Sequence, residues 1–335
     1  MDWVRLPFGR AAPDGLPLQR EPSAKRRKPR IGLALGAGAA RGWAQIGVLR
    51  ELLANGLVPD IVVGTSMGAV VGGCYCAGQL DRLEAFARSL TKRRVFGLMD
   101  FTFARTGLIG GGRLRAALLR DLGAMTIEDL PVRFAAVATQ VHTGHEVWLS
   151  RGQLVDALRA SYALPGVFEP VQIDGRWLID GALVNPVPVS VCRALGADIV
   201  IAINLVAETV VWKDEPASTT GVTAVADPDL PHGLFGGWAR GAARTAAPDL
   251  SRTTGPTMAR VLVDAFNITQ DRIARSRLAG DPPDLTLNIK VGRFGLFEFQ
   301  RADELIAVGR DAAEKALPDL AEVLDYPVAA AKPAT

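Results

Sequence analysis

The sequence predicts an α/β protein with a mostly parallel central sheet and helices on both faces. Three features lead there. Ile31–Leu35 is a short apolar run ending in Gly36, the pattern of a buried strand. Arg41 to Ala54 then carries Trp43, Ile46, Val48, Leu49, Leu52 and Leu53 at roughly helical spacing and stops at Asn55-Gly56. Asp60–Val63 reads as a second strand, followed by a glycine turn and a small-residue helix from Met67 to Ala77. Strand, glycine turn, helix and strand again make the βαβ pattern of a parallel sheet.

The later elements are weaker. Leu80–Leu90 and Arg113–Leu122 read as helices, and Phe134–Thr139 and His145–Leu149 as strands. Leu154–Ala160 reads as a short helix, Trp177–Ile179 as a strand, Val187–Leu195 as a helix and Asp198–Ile203 as a strand. Residues 207–256 are rich in Ala, Thr, Gly, Pro and Asp and have little periodicity, so they read as a long excursion. Within it, Leu234, Phe235 and Trp238 form an apolar cluster around two glycines. Helical spacing returns over Met258–Leu278 and again over Asp303–Ala316. The expected organisation is a flexible basic arm at 1–29, one folded unit at 30–322 and a flexible tail at 323–335.

Composition narrows the setting. Apolar residues make up 49% of the 335 residues and charged residues 22%, enough for a sizeable core. The mean hydropathy is +0.18. Net charge is only +3, and the excess is local, in Lys25, Arg26, Arg27, Lys28 and Arg30. That run reads first as a solvated arm. Its second reading is attraction to an anionic membrane surface, at about 1 kcal/mol per basic residue. No aromatics interleave with it, so no nucleic-acid partner is expected. Three cysteines, Cys74, Cys76 and Cys192, do not make a disulfide framework and suit a reducing compartment. Their spacing does not suit zinc. The N-terminus shows no signal-peptide pattern, and the longest apolar stretch, Ile61 to Gly78, is broken by glycines and by Thr65 and Ser66. The expectation is a cytoplasmic protein that makes transient contact with a membrane surface.

Gly64-Thr65-Ser66-Met67-Gly68 sits between a predicted strand and a predicted helix. This is the nucleophile-elbow pattern in the context it requires. A sharp turn there exposes a serine hydroxyl, and the following helix aims its free N–H groups at it. A second loop, Gly36-Ala37-Gly38-Ala39-Ala40-Arg41-Gly42, offers backbone N–H groups as an oxyanion hole, where one donor is worth roughly 2.7–4 kcal/mol. A dinucleotide loop is the rival reading. The spacing ends in Arg41 rather than glycine, and Asp60 lies at the wrong end of the second strand. The serine also needs a base. His142 and His145 flank a hairpin-like turn, and His232 lies in the excursion. Asp180, in Leu178-Ile179-Asp180-Gly181-Ala182, is the carboxylate alternative, but Asp174-Gly175 is a second turn of the same type.

Taken together, these segments resemble the patatin-like phospholipase family. The resemblance rests on Gly36 to Gly42, then Gly64 to Gly68, then Asp180-Gly181-Ala182, in that order. The stretch from Arg159 to Pro170 resembles the segment preceding the family's aspartate, and Asn185-Pro186 favours Asp180 over Asp174. Asp281-Pro282-Pro283-Asp284, Val291-Gly292 and Phe297 to Leu305 resemble bacterial members near the neuropathy-target-esterase branch. Two departures stand out. Ala37 and Ala39 replace common glycines, and Gln45 replaces a common histidine. An alanine at a position needing positive φ is strained.

The resemblance implies a three-layer sandwich and a serine acyl-ester hydrolase acting on lipids or lysolipids. It implies Ser66 as nucleophile, Asp180 as general base, Gly36, Ala37, Gly38 and Ala39 as oxyanion donors, and Arg41 as loop support. No metal or organic cofactor is implied. Two rival classes are a dinucleotide-binding oxidoreductase and a non-catalytic adaptor of the same fold. A narrower alternative is an esterase or thioesterase acting on small soluble substrates. A lid or membrane-touching surface made by Leu234, Phe235, Trp238 and the basic arm is a further expectation.

Overall fold

A computed structural model describes residues 27–98, 112–205 and 258–324. The excursion, with Leu234, Phe235, Trp238 and His232, lies outside the described residues, as do residues 1–26 of the expected arm and 325–335 of the tail. At the arm's inner end, Arg27 pairs with Asp198 at 2.8 Å.

The sheet has eight strands: β1 (Ile31–Leu35), β2 (Ile61–Thr65), β3 (Arg133–Gln140), β4 (Glu146–Leu149), β5 (Val171–Ile173), β6 (Arg176–Asp180), β7 (Ile199–Asn204) and β8 (Leu285–Asn288). Neighbours run in the order β5-β6-β3-β2-β1-β7-β8, with β4 also paired to β3. The run β3-β2-β1-β7-β8 is parallel throughout, while β4, β5 and β6 pair antiparallel. β1 and β2 are buried along their whole length, as befits strands covered on both faces.

The helices are α1 (Ala44–Ala54), α2 (Met67–Cys76), α3 (Leu80–Arg88), α4 (Lys92–Leu98), α5 (Gly112–Leu122), α6 (Leu154–Tyr162), α7 (Val189–Ala194), α8 (Met258–Gly280) and α9 (Ala302–Leu324). Alternate strand residues build two cores. Leu33, Leu35, Val62, Phe134 and Ile201 pack with Ile46, Leu49, Val71 and Leu305, drawn from α1, α2 and α9. Ala34, Val63, Ala135 and Val200 face the other way, onto Val189 and Val191 of α7 and Ala274 of α8. The result is the three-layer α/β arrangement.

Most expected elements lie within a few residues of their predicted bounds. Residues 39–43 form a 3₁₀ turn ahead of α1 rather than its first turn. β5, β8 and α4 have no counterpart in the sequence reading. β5 and β8 are three and four residues long, too short to show a period. Asp60, weighed above as a cofactor ligand, instead accepts the Ile31 N–H at 2.8 Å, capping the start of β1.

α1 and α9 cross at two glycines. A Cβ on Gly47 would lie 1.9 Å from the Ile306 carbonyl oxygen, and one on Gly309 would lie 1.8 Å from that of Ala44. Backbone meets backbone here, so no side chain can yield. Gly309→Ala is therefore expected to cost about 1–3 kcal/mol by overpacking. Urea unfolding checks this, and an unchanged midpoint would show that the helices do not meet at these residues.

Candidate active site

The edge of β3 assembles the site. β2 runs beside β3 as far as Thr65, opposite Val137. β6 begins at the next residue, with Asp180 opposite Ala138. β4 pairs with β3 across both stretches, from Ala136 to Thr139, so it occupies the opposite edge. β2 and β6 therefore share one edge of β3 and meet end to end. Ser66 follows the last residue of β2, and Asp180 is the last residue of β6. The Ser66 hydroxyl donates to Asp180 Oδ2 at 2.7 Å, across 114 residues of sequence.

The turn that carries Ser66 is sharp. Its φ and ψ are 56° and −122°, a sparsely populated conformation costing on the order of 1–3 kcal/mol. The two elbow glycines allow it. A Cβ on Gly64 would lie 2.4 Å from the Ala69 backbone, and one on Gly68 would lie 2.2 Å from the Leu35 carbonyl oxygen. Ser161 locks the turn from below: its Oγ accepts the Ser66 N–H at 2.9 Å and donates to the Val137 carbonyl at 2.6 Å. Thr65 Oγ1 donates to the Asn185 carbonyl at 2.8 Å, tying the elbow to the chain beyond Asp180.

Asp180 is only 2% exposed. Its Oδ1 accepts the Ala182 N–H at 2.8 Å, its carbonyl accepts the Thr139 hydroxyl at 2.8 Å, and its own N–H donates to Ala163 at 3.0 Å. Burial pushes its pKa up to about 7, and the hydrogen bonds from Ala182 and Ser66 oppose that rise. Asp174, the rival aspartate, sits exposed in the β5–β6 turn with φ 49°. His142 and His145 are exposed in the turn after β3, and no hydrogen bond joins either to Ser66.

The glycine loop is anchored from several sides, and this narrows the set of free donors. Gly36 N–H donates to Ile203 at 3.0 Å and Ala37 N–H to Pro186 at 2.9 Å. Both are engaged in the fold and are withdrawn from the expected oxyanion set. The N–H groups of Gly38 and Ala39 have no partner among the described residues. Ala39 adopts φ 47°, the strained conformation anticipated for it. Arg41 Nε donates to the Phe294 carbonyl at 2.8 Å and Ala40 N–H to Leu296 at 2.9 Å, so Arg41 acts as a strut. Burial lowers its pKa and Glu298 opposes that shift. Gln45, fully buried, donates to the Gly36 carbonyl at 2.6 Å.

A cavity of about 150 Å³ opens onto Ser66 and Asp180. Its long wall is apolar, built by Leu83, Phe86, Leu90, Leu118, Leu122 and Phe168. Cys74 also lines it, but burial pushes its thiol up to about 12, which leaves it a poor nucleophile. Ser161, Thr65, Thr139 and Gln270 had no role in the sequence reading. Ser161 was detectable as a serine on the buried stripe of α6 that includes Leu154, Ala157 and Leu158.

These features define a three-layer α/β protein with a serine elbow and a carboxylate partner at the mouth of an apolar cavity. The chain belongs to the patatin-like phospholipase family. The profile described as "Patatin-like phospholipase" matches residues 33–193. An NTE family protein of Mycobacterium tuberculosis (strain H37Rv) is 34% identical over 331 residues, covering 86% of this chain and 91% of that one. A second from the same strain is 31% identical over 300 residues, covering 87% of this chain and 47% of its own length. Lysophospholipase nte1 of Emericella nidulans is 28% identical over 289 residues, covering 83% of this chain and 17% of the fungal protein.

The buried carboxyl has a consequence for stability. Its ionisation is disfavoured in the folded state alone, so the penalty is absent near pH 4, develops as pH rises towards 7 and stays constant above. The upper bound is on the order of 4 kcal/mol. Asp180→Asn removes that penalty. The variant is expected to melt higher than the parent at pH 8 and close to it at pH 4. Calorimetry at the two pH values checks this, and an equal difference at both would mean that Asp180 titrates normally.

Proposed function

We propose that this chain is a serine acyl-ester hydrolase that cleaves acyl esters of phospholipids or lysophospholipids through a dyad of Ser66 and Asp180. The observation that carries the reading is the 2.7 Å hydrogen bond between the two side chains at the mouth of an apolar cavity. The fungal relatives are named lysophospholipases, which favours the lipid ester as substrate.

The reaction runs in two halves. The acyl chain lies along the apolar wall, with the ester carbonyl carbon beside Ser66. Asp180 takes the hydroxyl proton as Ser66 Oγ bonds to that carbon. Negative charge moves onto the carbonyl oxygen, where the N–H groups of Gly38 and Ala39 and the start of α2 stabilise it. The bond to the alcohol then breaks, and Asp180 passes its proton to the departing oxygen. Water attacks the acyl-serine in the second half. It gives a proton to Asp180, which returns it to Ser66 as the fatty acid leaves.

An aspartate with the ordinary carboxylate pKa is a weak base for this step. One held at about 7 is matched to it. Arg41 and Gln45 act on the loop rather than on the substrate, through the bonds to Phe294 and Gly36. No described helix is long and apolar enough to cross a bilayer.

Covalent labelling tests the reading. A fluorophosphonate probe is expected to modify the purified protein at Ser66 and to leave Ser66→Ala unlabelled. A folded parent protein that resists the probe, or equal labelling of the variant, would remove Ser66 from its role.

A further inference from the structure

Gln79, Arg82, Asp121, Tyr162 and Gln270 are polar residues of the cavity that the dyad does not use, and Gln270 lies on α8, away from the apolar wall of α3 and α5. It is 5% exposed and lines the same cavity as Ser66 and Asp180. Its side-chain amide has no hydrogen-bond partner among the described residues. Among the described residues the buried side-chain polar atom without a partner is Gln45 Oε1, so the Gln270 amide is open to the cavity space and is free to pair with a ligand there.

Its position on α8 is defined. Phe266, Gln270, Ala274 and Leu278 recur every four residues and form one stripe along the helix. Ala274 and Leu278 pack into the core beneath the sheet. Arg277 fixes that end by donating to the Val184 carbonyl at 3.2 Å and to Glu146 at 3.0 Å. One turn on, the same stripe presents Gln270 to the cavity, and Phe266 follows it there. α8 packs against the Gly181–Leu183 turn that follows Asp180, and Gln270 and Asp180 line the same cavity.

We propose that the Gln270 amide binds the alcohol portion of the substrate, pairing with a hydroxyl next to the scissile ester. This rests on the Ser66–Asp180 reading and adds a specificity determinant to it. Three walls of the site divide the substrate between them. Gly38 and Ala39 face the carbonyl oxygen, and the apolar residues of α3 and α5 take the acyl chain. The alcohol must leave beside Asp180, which protonates it, and α8, which carries Gln270, is the helix that packs against the turn after Asp180. A glycerol or glycerophosphate hydroxyl supplies both a donor and an acceptor to the amide. The ester of a simple alcohol leaves the amide unpaired. The chemistry therefore selects polyol esters with a free hydroxyl, as in a lysolipid or a monoacylglycerol, over esters of simple alcohols.

The test compares a monoacylglycerol with the methyl ester of the same fatty acid, for the parent protein and Gln270→Met. The parent is expected to prefer the glycerol ester in kcat/KM. Gln270→Met is expected to reduce that preference about tenfold, the loss of one good hydrogen bond. Its melting temperature is expected to stay the same, because the amide has no hydrogen-bond partner among the described residues for the substitution to remove. An unchanged preference, or an equal loss on both esters with a lower melting temperature, overturns the proposal and makes Gln270 a packing residue. A parent protein that takes the fluorophosphonate at Ser66 yet shows no preference for the glycerol ester also overturns it, while leaving the dyad standing. A parent that hydrolyses neither ester and takes no probe overturns the dyad, and this proposal with it.

Discussion

One shared edge governs the site. β3 offers its hydrogen-bonding groups to β2 up to Val137 and to β6 from Ala138. This pairing brings Thr65, at the end of a parallel strand, next to Asp180, at the end of an antiparallel one. A one-residue slip of β6 would turn Asp180 to the opposite face. The register is therefore held by side chains as well as backbone. Ser161 spans from Ser66 to Val137, and Thr139 holds the Asp180 carbonyl. Behind them, Asn185 Nδ2 donates to Glu146 at 2.8 Å, and Glu146 pairs with Arg277. That chain of contacts runs from α8 through β4 to the segment after Asp180.

The site holds several unfavourable features at once. Ser66 and Ala39 both have positive φ, Asp180 is ionisable in a dry setting, and Gln45 Oε1 is buried without a hydrogen-bond partner. The two strained backbones and the orphaned Gln45 oxygen each cost on the order of 1–3 kcal/mol. The surrounding fold is what keeps them in place: two fully buried parallel strands, a helix crossing too close for any side chain, and a loop anchored to Ile203, Pro186, Leu296 and Phe294. Strain of this kind belongs to function when it positions reacting atoms, and these four residues lie within or directly beneath the loop and elbow, whereas the positive φ of Asp174 belongs to the exposed β5–β6 turn.

Local chemistry was readable in the sequence, and long-range pairing was not. β1, β2, α2 and the elbow could be read because their signals fall within a few residues: an apolar run, two glycines, a serine. Asp180 could not be separated from Asp174 by its residue type. The family resemblance separated them in sequence, and the register of β6 does so in space. The glycine loop was recognisable as a donor loop. That Gly36 and Ala37 are engaged elsewhere depends on Ile203 and Pro186, more than 140 residues away. Ser161 and Gln270 were visible in principle as polar residues on apolar helical stripes. Such residues are often harmless, and only their partners distinguish them. Ser161 has two hydrogen bonds, and Gln270 has none among the described residues.

On the proposed mechanism a buried Asp180, raised to about 7, serves as the base for Ser66. The pH dependence of kcat/KM on a soluble ester tests it most directly. With Asp180 as the base, the rate falls tenfold per pH unit below about pH 7, following a single ionisation of the free enzyme. A rate that stays level down to pH 5 would contradict it, because the base would then titrate as an ordinary exposed carboxylate.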